Sequence, residues 1–150
     1  MKAKHVYHAN TLDLYTPDAT TSIKLDLVDA GISAGFPSPA EDYTDLKLDL
    51  NKALIKHPSA TFFGRVNGNS MIGAGIYDGD ILIIDKSLTP KKDSVLVCFI
   101  DGEFTIKKAT KIDGDLYLMP ENKDFKPIRI DPESDFRLWG VVTYSIHKQD

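Results

Sequence analysis

Two apolar runs joined by an Asp-Gly pair stand in the second half of the sequence: Val95-Leu96-Val97-Cys98-Phe99-Ile100-Asp101-Gly102-Glu103-Phe104-Thr105-Ile106-Lys107-Lys108. Asp-Gly between apolar runs is a strong hairpin signal, because glycine adopts a positive φ without steric penalty. The pattern predicts two antiparallel strands with a tight turn at Asp101-Gly102.

Apolar runs and turn formers alternate on both sides of this hairpin. The other turn signals are Asn67-Gly68, Asp78-Gly79 and Asp113-Gly114. Short strands at this spacing are typical of a compact domain that is mainly β. The predicted strands cover residues 61–67, 80–85, 94–100, 103–110, 115–119, 125–130 and 136–147.

One short helix is predicted before these strands, within residues 41–57. Asp49 is a suitable cap for a turn that begins at Leu50, and Pro58 is a suitable stop. The segment 46–48 alternates like a strand, so the start of the helix stays open over several residues.

The first 40 residues differ from the rest because they hold few large apolar side chains. They end in Ala34-Gly35-Phe36-Pro37-Ser38-Pro39-Ala40, where two prolines and a glycine favour an extended, accessible backbone. Ile23, Leu25 and Leu27 alternate with polar neighbours and predict one short strand. We expect residues 1–40 to form a flexible arm with one docking strand, and residues 41–150 to form the globular domain.

Composition and charge favour a small globular protein over a membrane protein or a DNA-binding protein. The chain has 150 residues, of which 42% are hydrophobic and 27% charged, which suits one small domain with an appendage. No apolar run approaches the ~18 residues of a membrane span, and no apolar segment follows the lysines of the N-terminus, so we expect a cytoplasmic protein. The net charge of −4 disfavours DNA binding as the main role. Cys98 is the only cysteine, and its apolar surroundings predict a buried, unreactive residue.

A candidate nucleophile lies in the turn Asn67-Gly68-Asn69-Ser70-Met71, directly after a predicted strand. In such a turn the hydroxyl of Ser70 is accessible, and the backbone N–H groups of Asn69 and Ser70 can line an oxyanion hole. Taken alone, a serine in a turn of this kind is more often a solvated turn residue.

A serine nucleophile needs a base. The four histidines are badly placed for this role, so a Ser-His-Asp triad is not favoured: His5, His8, His57 and His147. Lysine can replace histidine when burial lowers its pKa enough to make it neutral. Lys107 is the candidate, since its predicted strand is apolar; the plain alternative is a strand lysine on the solvated face.

The segment from Ala34 to about Val142 resembles the LexA/UmuD group of self-cleaving proteins. The resemblance lies in the small-residue pair Ala34-Gly35 with the Pro-rich run after it, in Asp49-Leu50-Asn51, His57-Pro58-Ser59-Ala60-Thr61, Gly68-Asn69-Ser70-Met71 and Gly75-Ile76-Tyr77-Asp78-Gly79-Asp80, and in the run 101–108, with 37 positions between Ser70 and Lys107. It implies a LexA/signal-peptidase-like β domain, Ser70 as nucleophile, Lys107 as general base, an oxyanion hole at the backbone of Asn69 and Ser70, and a cut between Ala34 and Gly35. The chain departs from many relatives at Asn69 and in its longer arm.

Within this group, the length of the arm indicates a UmuD-like protein. Thirty-four residues that include Pro17 and Gly31 cannot form the helix-turn-helix domain of a repressor. The resemblance then implies a homodimer that serves an error-prone Y-family translesion polymerase in the SOS response. It also implies that the RecA filament on single-stranded DNA stimulates the cut, with no cofactor, no metal, no sequence-specific DNA binding and no membrane attachment.

Other interpretations remain open. One is a binding module in which Ser70 and Lys107 are only structural, and another is a repressor or antirepressor fragment without its DNA-binding half. Signal-peptidase-like chemistry would need a membrane anchor that the sequence lacks. The apolar residues near the C-terminus fit a dimer interface and ordinary core packing equally well: Phe136, Leu138, Trp139, Val141 and Val142.

Overall fold

The computed structural model describes residues 3–7, 12–17, 20, 22, 24–27 and 46–150. These residues form eleven strands and one α-helix: β1 Ala3–Tyr7, β2 Leu12–Pro17, β3 Lys24–Leu27, β4 Leu46–Asp49, α1 Leu50–Leu54, β5 Thr61–Val66, β6 Ile81–Asp85, β7 Leu96–Ile100, β8 Glu103–Ile112, β9 Asp115–Met119, β10 Ile128–Arg129 and β11 Phe136–Ile146. The predicted fold class, a mainly β domain with one short helix, is confirmed.

Nine strands form one sheet in the order β1-β2-β5-β6-β11-β7-β8-β9-β10, and β3 pairs with β4 in a separate ribbon. Every pair is antiparallel. The long C-terminal strand β11 lies between β6 and β7, so it joins the half of the sheet that precedes residue 86 to the half that follows residue 95.

The predicted hairpin at Asp101-Gly102 is confirmed, and the turn signal at Asp113-Gly114 also joins two antiparallel strands. Asp101 and Gly102 have φ values of 48° and 89°, and Asp113 and Gly114 have φ values of 52° and 87°. Positive φ at both central residues is what a two-residue turn needs to match the twist of its strands. The first turn pairs Ile100 with Glu103, which fixes the register of β7 on β8.

The helix is shorter than predicted. Asp49 caps it as expected, since its Oδ1 accepts hydrogen bonds from the backbone N–H groups of Asn51 and Lys52 at 3.0 and 3.5 Å. The helix ends at Leu54, because Ile55 is already extended, with φ −109° and ψ 98°. Residues 46–49 form strand β4 instead of helix, and Pro58 begins a separate 3₁₀ turn, Pro58–Ala60. The helix predicted within 41–57 is therefore confirmed at residues 50–54 and was wrong at residues 46–49 and 55–57; residues 41–45 lie outside the described residues.

The predicted strand at residues 125–130 is reduced to Ile128–Arg129. The backbone N–H of Phe125 bonds the carbonyl of Asn122 in a turn, and Pro127 has no N–H to donate to a strand partner.

The N-terminal segment holds more strand than the sequence predicted. The strand expected around residues 23–27 is present as β3, but β1 and β2 are additional, so the expectation of a single docking strand was wrong. Strand β2 pairs with β5, and Leu12 and Leu14 are 0% and 2% exposed. The placing of a domain boundary at residue 40 stays a prediction.

The main core lies on one face of the sheet and gathers side chains from β2, β5, β6, β7 and β8 and from the segment between β5 and β6: Leu12, Leu14, Val66, Met71, Ile76, Leu82, Ile84, Val97, Phe104 and Ile106. A second cluster contains Leu96, Cys98, Leu118, Ile130 and Val141. Cys98 is buried as predicted, and burial raises the pKa of its thiol to about 12.

Most of the apolar residues of β11 that fitted either core packing or a dimer interface belong to the core or pack against it. Val141 belongs to the second cluster, Phe136 packs against it, and Trp139 and Val142 pack against the main core. Leu138 is 44% exposed, as are large apolar side chains further along β11. No helix in the described part of the chain is long and apolar enough to cross a membrane.

Candidate active site

Ser70 lies in the turn that connects β5 to the 3₁₀ turn Ile72–Ala74. Gly68 has a φ of 105°, and its backbone N–H bonds the carboxylate of Asp78 at 2.7 Å, which closes the turn against the loop before β6. Met71 is 2% exposed and inserts into the main core directly after Ser70. The neighbouring methionine therefore anchors the turn while Ser70 stays half-buried at its tip.

Lys107 reaches Ser70 from strand β8. Its Nζ lies 3.0 Å from Ser70 Oγ, across 37 positions of sequence. The structure thus brings together the two side chains that the sequence singled out; their catalytic role stays a prediction.

The surroundings of Lys107 favour the neutral amine. The residue is 6% exposed, and burial lowers the pKa of the amine below its usual value of 10.5. Among the described residues no carboxylate lies within ion-pair distance of Nζ, so no ion pair offsets the loss of hydration. A buried amine without a counter-ion gives up its proton more easily than one in water.

Two further contacts orient the amine. Nζ donates to Thr105 Oγ1 at 3.0 Å and to the carbonyl of Ile106 at 2.9 Å. Thr105 lies two residues before Lys107, so both side chains leave the same face of β8. A neutral amine has two N–H groups and one lone pair, and with both N–H groups engaged here the lone pair is left for the hydroxyl of Ser70.

The loop after β9 holds the nucleophile turn from the other side. The backbone N–H of Glu121 bonds the carbonyl of Ser70 at 2.9 Å, and the N–H of Gly73 bonds the carbonyl of Glu121 at 2.6 Å. The side-chain amide of Asn122 donates to the carbonyl of Asn69 at 2.8 Å. A Cβ on Gly73 would lie 2.7 Å from the carbonyl oxygen of Glu121, so only glycine allows this approach.

These bonds engage the backbone carbonyls of Asn69 and Ser70 but not the backbone N–H groups of the same two residues. No described residue accepts a hydrogen bond from the backbone N–H groups of Asn69 or Ser70. These are the two groups that the sequence predicted for an oxyanion hole, and that role stays a prediction.

Glu121, Asn122 and Thr105 were missed by sequence reasoning. Thr105 could have been found, because a polar residue two positions before a candidate buried lysine shares its face. Glu121 and Asn122 carry no such signal, since Asn122 meets Asn69 across 53 positions of sequence. Ion pairing adds one more link, from Glu121 to Lys108 at 2.9 Å.

The histidines take structural positions where they are described. His57 Nδ1 contacts Asp85 Oδ2 at 2.6 Å, and His147 Nδ1 contacts Asp80 Oδ1 at 2.5 Å. Each of the two histidines thus contacts a buried aspartate, and these aspartates stand directly before β6 (Asp80) and at its last residue (Asp85). The side chains of His5 and His8 lie outside the described residues, as do Ala34 and Gly35 of the predicted cleavage site.

The part of the chain that the structure describes contains no group of three or more His, Cys, Asp or Glu side chains arranged to hold a metal ion. An apolar groove of about 420 Å³ lies elsewhere, beside α1, β5 and β6, and neither Ser70 nor Lys107 lines it. Ser70, Lys107 and the amides of Asn69 and Ser70 are the groups that the sequence predicted as nucleophile, base and oxyanion hole, and these roles stay predictions.

Comparison with known proteins shows which family the chain belongs to. The peptidase S24-like family matches residues 26–143. The chain is 47% identical over 116 residues to protein MucA of Salmonella typhimurium, covering 77% of this chain and 79% of the relative, and 42% identical over 115 residues to protein SamA of the same species, with the same coverage.

The LexA repressor of Dechloromonas aromatica is 36% identical over 112 residues, which are 74% of this chain and 55% of the repressor. The matched region contains the nucleophile turn, strand β8 and the loop at Glu121. The chain therefore belongs to the peptidase S24-like family, as a UmuD-like member of its LexA/UmuD group.

Proposed function

We propose that this chain is a serine peptidase that cuts its own backbone between Ala34 and Gly35, with Ser70 as nucleophile and Lys107 as general base. The observation that carries the proposal is the 3.0 Å contact between a buried lysine amine, which has no counter-ion among the described residues, and the hydroxyl of a serine at the tip of a turn. Membership of a peptidase family supports the same chemistry.

The reaction proceeds in two halves. Neutral Lys107 takes the proton of Ser70 Oγ, which attacks the carbonyl carbon of Ala34, and the amides of Asn69 and Ser70 stabilise the oxyanion. The Ala34–Gly35 bond then breaks, and Lys107 returns its proton to the leaving amine of Gly35. A water molecule deprotonated by Lys107 hydrolyses the ester, which frees the carboxylate of Ala34 and restores the hydroxyl of Ser70.

The biological setting of the cut is the SOS response to DNA damage. The shortened chain acts as a homodimeric accessory subunit of an error-prone Y-family translesion polymerase, and the RecA filament on single-stranded DNA accelerates the cut. The support is the similarity to the UmuD-like relatives, together with the exposed apolar side chains of Leu138, Tyr144 and Ile146 on β11, which suit a dimer interface.

The decisive experiment is to incubate the purified chain with RecA, an ATP analogue and single-stranded DNA, and to sequence every new N-terminus. A fragment that begins at Gly35 is expected from the wild type and not from Ser70→Ala. The reverse result, or cutting at another bond, would remove the proposed site. Co-purification of the cut chain with an error-prone polymerase tests the second part, and the intact Ser70→Ala chain is its control.

A further inference from the structure

The N-terminal hairpin β1–β2 lies outside the part of the chain that matches the family, which begins at residue 26. It is nevertheless built into the family's sheet, because β2 pairs with β5 along four residues. The other side of β5 is taken by β6. Without β2, strand β5 would end the sheet and present a row of unpaired backbone groups.

The side chains of β2 fit this place. Leu12 and Leu14 are 0% and 2% exposed and join the same core that contains Met71 and Ile106, the neighbours of Ser70 and Lys107. Gly64 of β5 makes room for them: a Cβ there would lie 2.6 Å from Leu12 Cδ1 and 3.0 Å from Ile84 Cδ1. The missing side chain leaves a notch that one leucine of an incoming strand fills.

Charge also matches across the pair. Asp13 lies directly opposite Arg65 in the register of β2 on β5, and opposite charges at facing positions favour pairing. Backbone pairing supplies affinity and the alternate side chains supply selectivity, which is the logic of peptide recognition by strand addition.

We propose that the edge of β5 is a binding site for an extended peptide with leucines at positions i and i+2, and that residues 12–15 occupy it as a non-covalent ligand. All contacts between β2 and β5 are independent of the backbone that connects them through residues 18–60. Breaking that backbone leaves every contact in place, so the N-terminal fragment stays bound to the product. Its relevance to the natural product rests on the proposed cut at Ala34–Gly35.

The test uses the full chain with Ser70→Ala and a recognition sequence for a site-specific protease inserted between Thr20 and Thr21. This position separates β2 from β3, so the pairing of β3 with β4 cannot hold the two fragments together. After external cutting, size-exclusion chromatography and native mass spectrometry should find both fragments in one complex. If the two fragments separate after the cut, the proposal is overturned. Because the external protease makes the cut, this result does not depend on whether the chain cleaves itself.

Specificity is read with labelled synthetic peptides of residues 3–18 added in excess to the cut complex. The wild-type peptide and its Thr16→Ala control should replace the resident fragment, whereas a peptide with Leu12→Asp and Leu14→Asp should not. Equal replacement by the wild-type peptide and the double-aspartate peptide, or no replacement by either, would contradict a leucine-selective peptide site. Placing the substitutions in the peptide keeps the folded protein unchanged.

The receptor side offers a second variant. Gly64→Ala fills the notch and should weaken binding of the wild-type peptide about tenfold, since an added methyl group in a packed core displaces its neighbours. Unchanged binding by a Gly64→Ala chain that melts like the wild type would contradict the role given to the notch.

Discussion

The nucleophile turn and the N-terminal hairpin are attached to one core by different forces. The turn is fixed by polar bonds from a distant loop, three of them from Glu121 and Asn122, and by Lys107. The hairpin is fixed by two buried leucines and by backbone pairing to β5. Substitutions in the first region should therefore change reactivity at nearly constant stability, and substitutions in the second should change stability first.

The largest effect is expected from the two neighbouring lysines of β8. Lys107→Ala should reduce self-cleavage by a factor of about 10²–10⁴, the usual contribution of a general base. Lys108→Ala is the matched control, because Lys108 only forms a partly exposed ion pair with Glu121 and should leave the rate within about twofold. Rates are measured by the appearance of the fragment beginning at Gly35, and equal loss in both variants would contradict the assignment.

Leu12→Ala should lower the free energy of unfolding by about 2–5 kcal/mol, since it leaves a cavity in the main core. Thr16→Ala, on the same strand beyond the residues paired with β5, should stay within about 0.5 kcal/mol of the wild type. Denaturant unfolding of chains carrying Ser70→Ala measures both without interference from cleavage. A stable Leu12→Ala chain would mean that the hairpin is only loosely attached.

The pH dependence separates the two regions further. Because burial lowers the pKa of Lys107, the rate of self-cleavage should rise about tenfold per pH unit until the pH exceeds that pKa, and then level off. A flat profile from neutral to alkaline pH would exclude Lys107 as the base.

Stability should follow the same group with a defined sign. Between the lowered pKa of folded Lys107 and its usual value of 10.5, the unfolded chain binds more protons, so the free energy of unfolding rises with pH. Lys107→Met removes this titration, and its stability should rise less over the same window. Parallel curves for the two proteins would contradict a depressed pKa.

The smallest effect is expected at Asn122. Asn122→Ala removes one hydrogen bond to the carbonyl of Asn69, worth about 1 kcal/mol, and should slow cleavage about fivefold. The melting temperature should change little, because the side chain is only partly buried. A large loss of stability without a change in rate would place Asn122 among the structural residues.

The sequence was informative where signals are local. Asp101-Gly102 predicted its hairpin because the turn type depends on two adjacent residues. Asp49 predicted the start of α1 because a capping side chain bonds to backbone N–H groups only two and three residues later. Ser70 and Lys107 lie 37 positions apart. Their surroundings made them candidates, and the family resemblance favoured the pair over a solvated turn serine and a solvated strand lysine.

Two features escaped because their cause is non-local. Leu12-Asp13-Leu14 is too short an alternation to predict a strand, and its partner Gly64 is about fifty residues away in the sequence. The bonds of Glu121 and Asn122 to the nucleophile turn depend on how β9 and β10 place their connecting loop. Such contacts are set by the packing of the whole sheet.

The two outermost strands of the sheet differ in length: β1 has five residues and β10 has two. A two-residue strand is too short to template another chain, so within the nine-stranded sheet that the structure describes, strand-by-strand growth at an outer strand can start only from β1. Copies that met through β1 would use the same surface on both sides, and such a contact closes as a two-fold pair instead of extending into a fibre. The short strand thus limits edge-to-edge growth of the nine-stranded sheet to its other outer strand, β1.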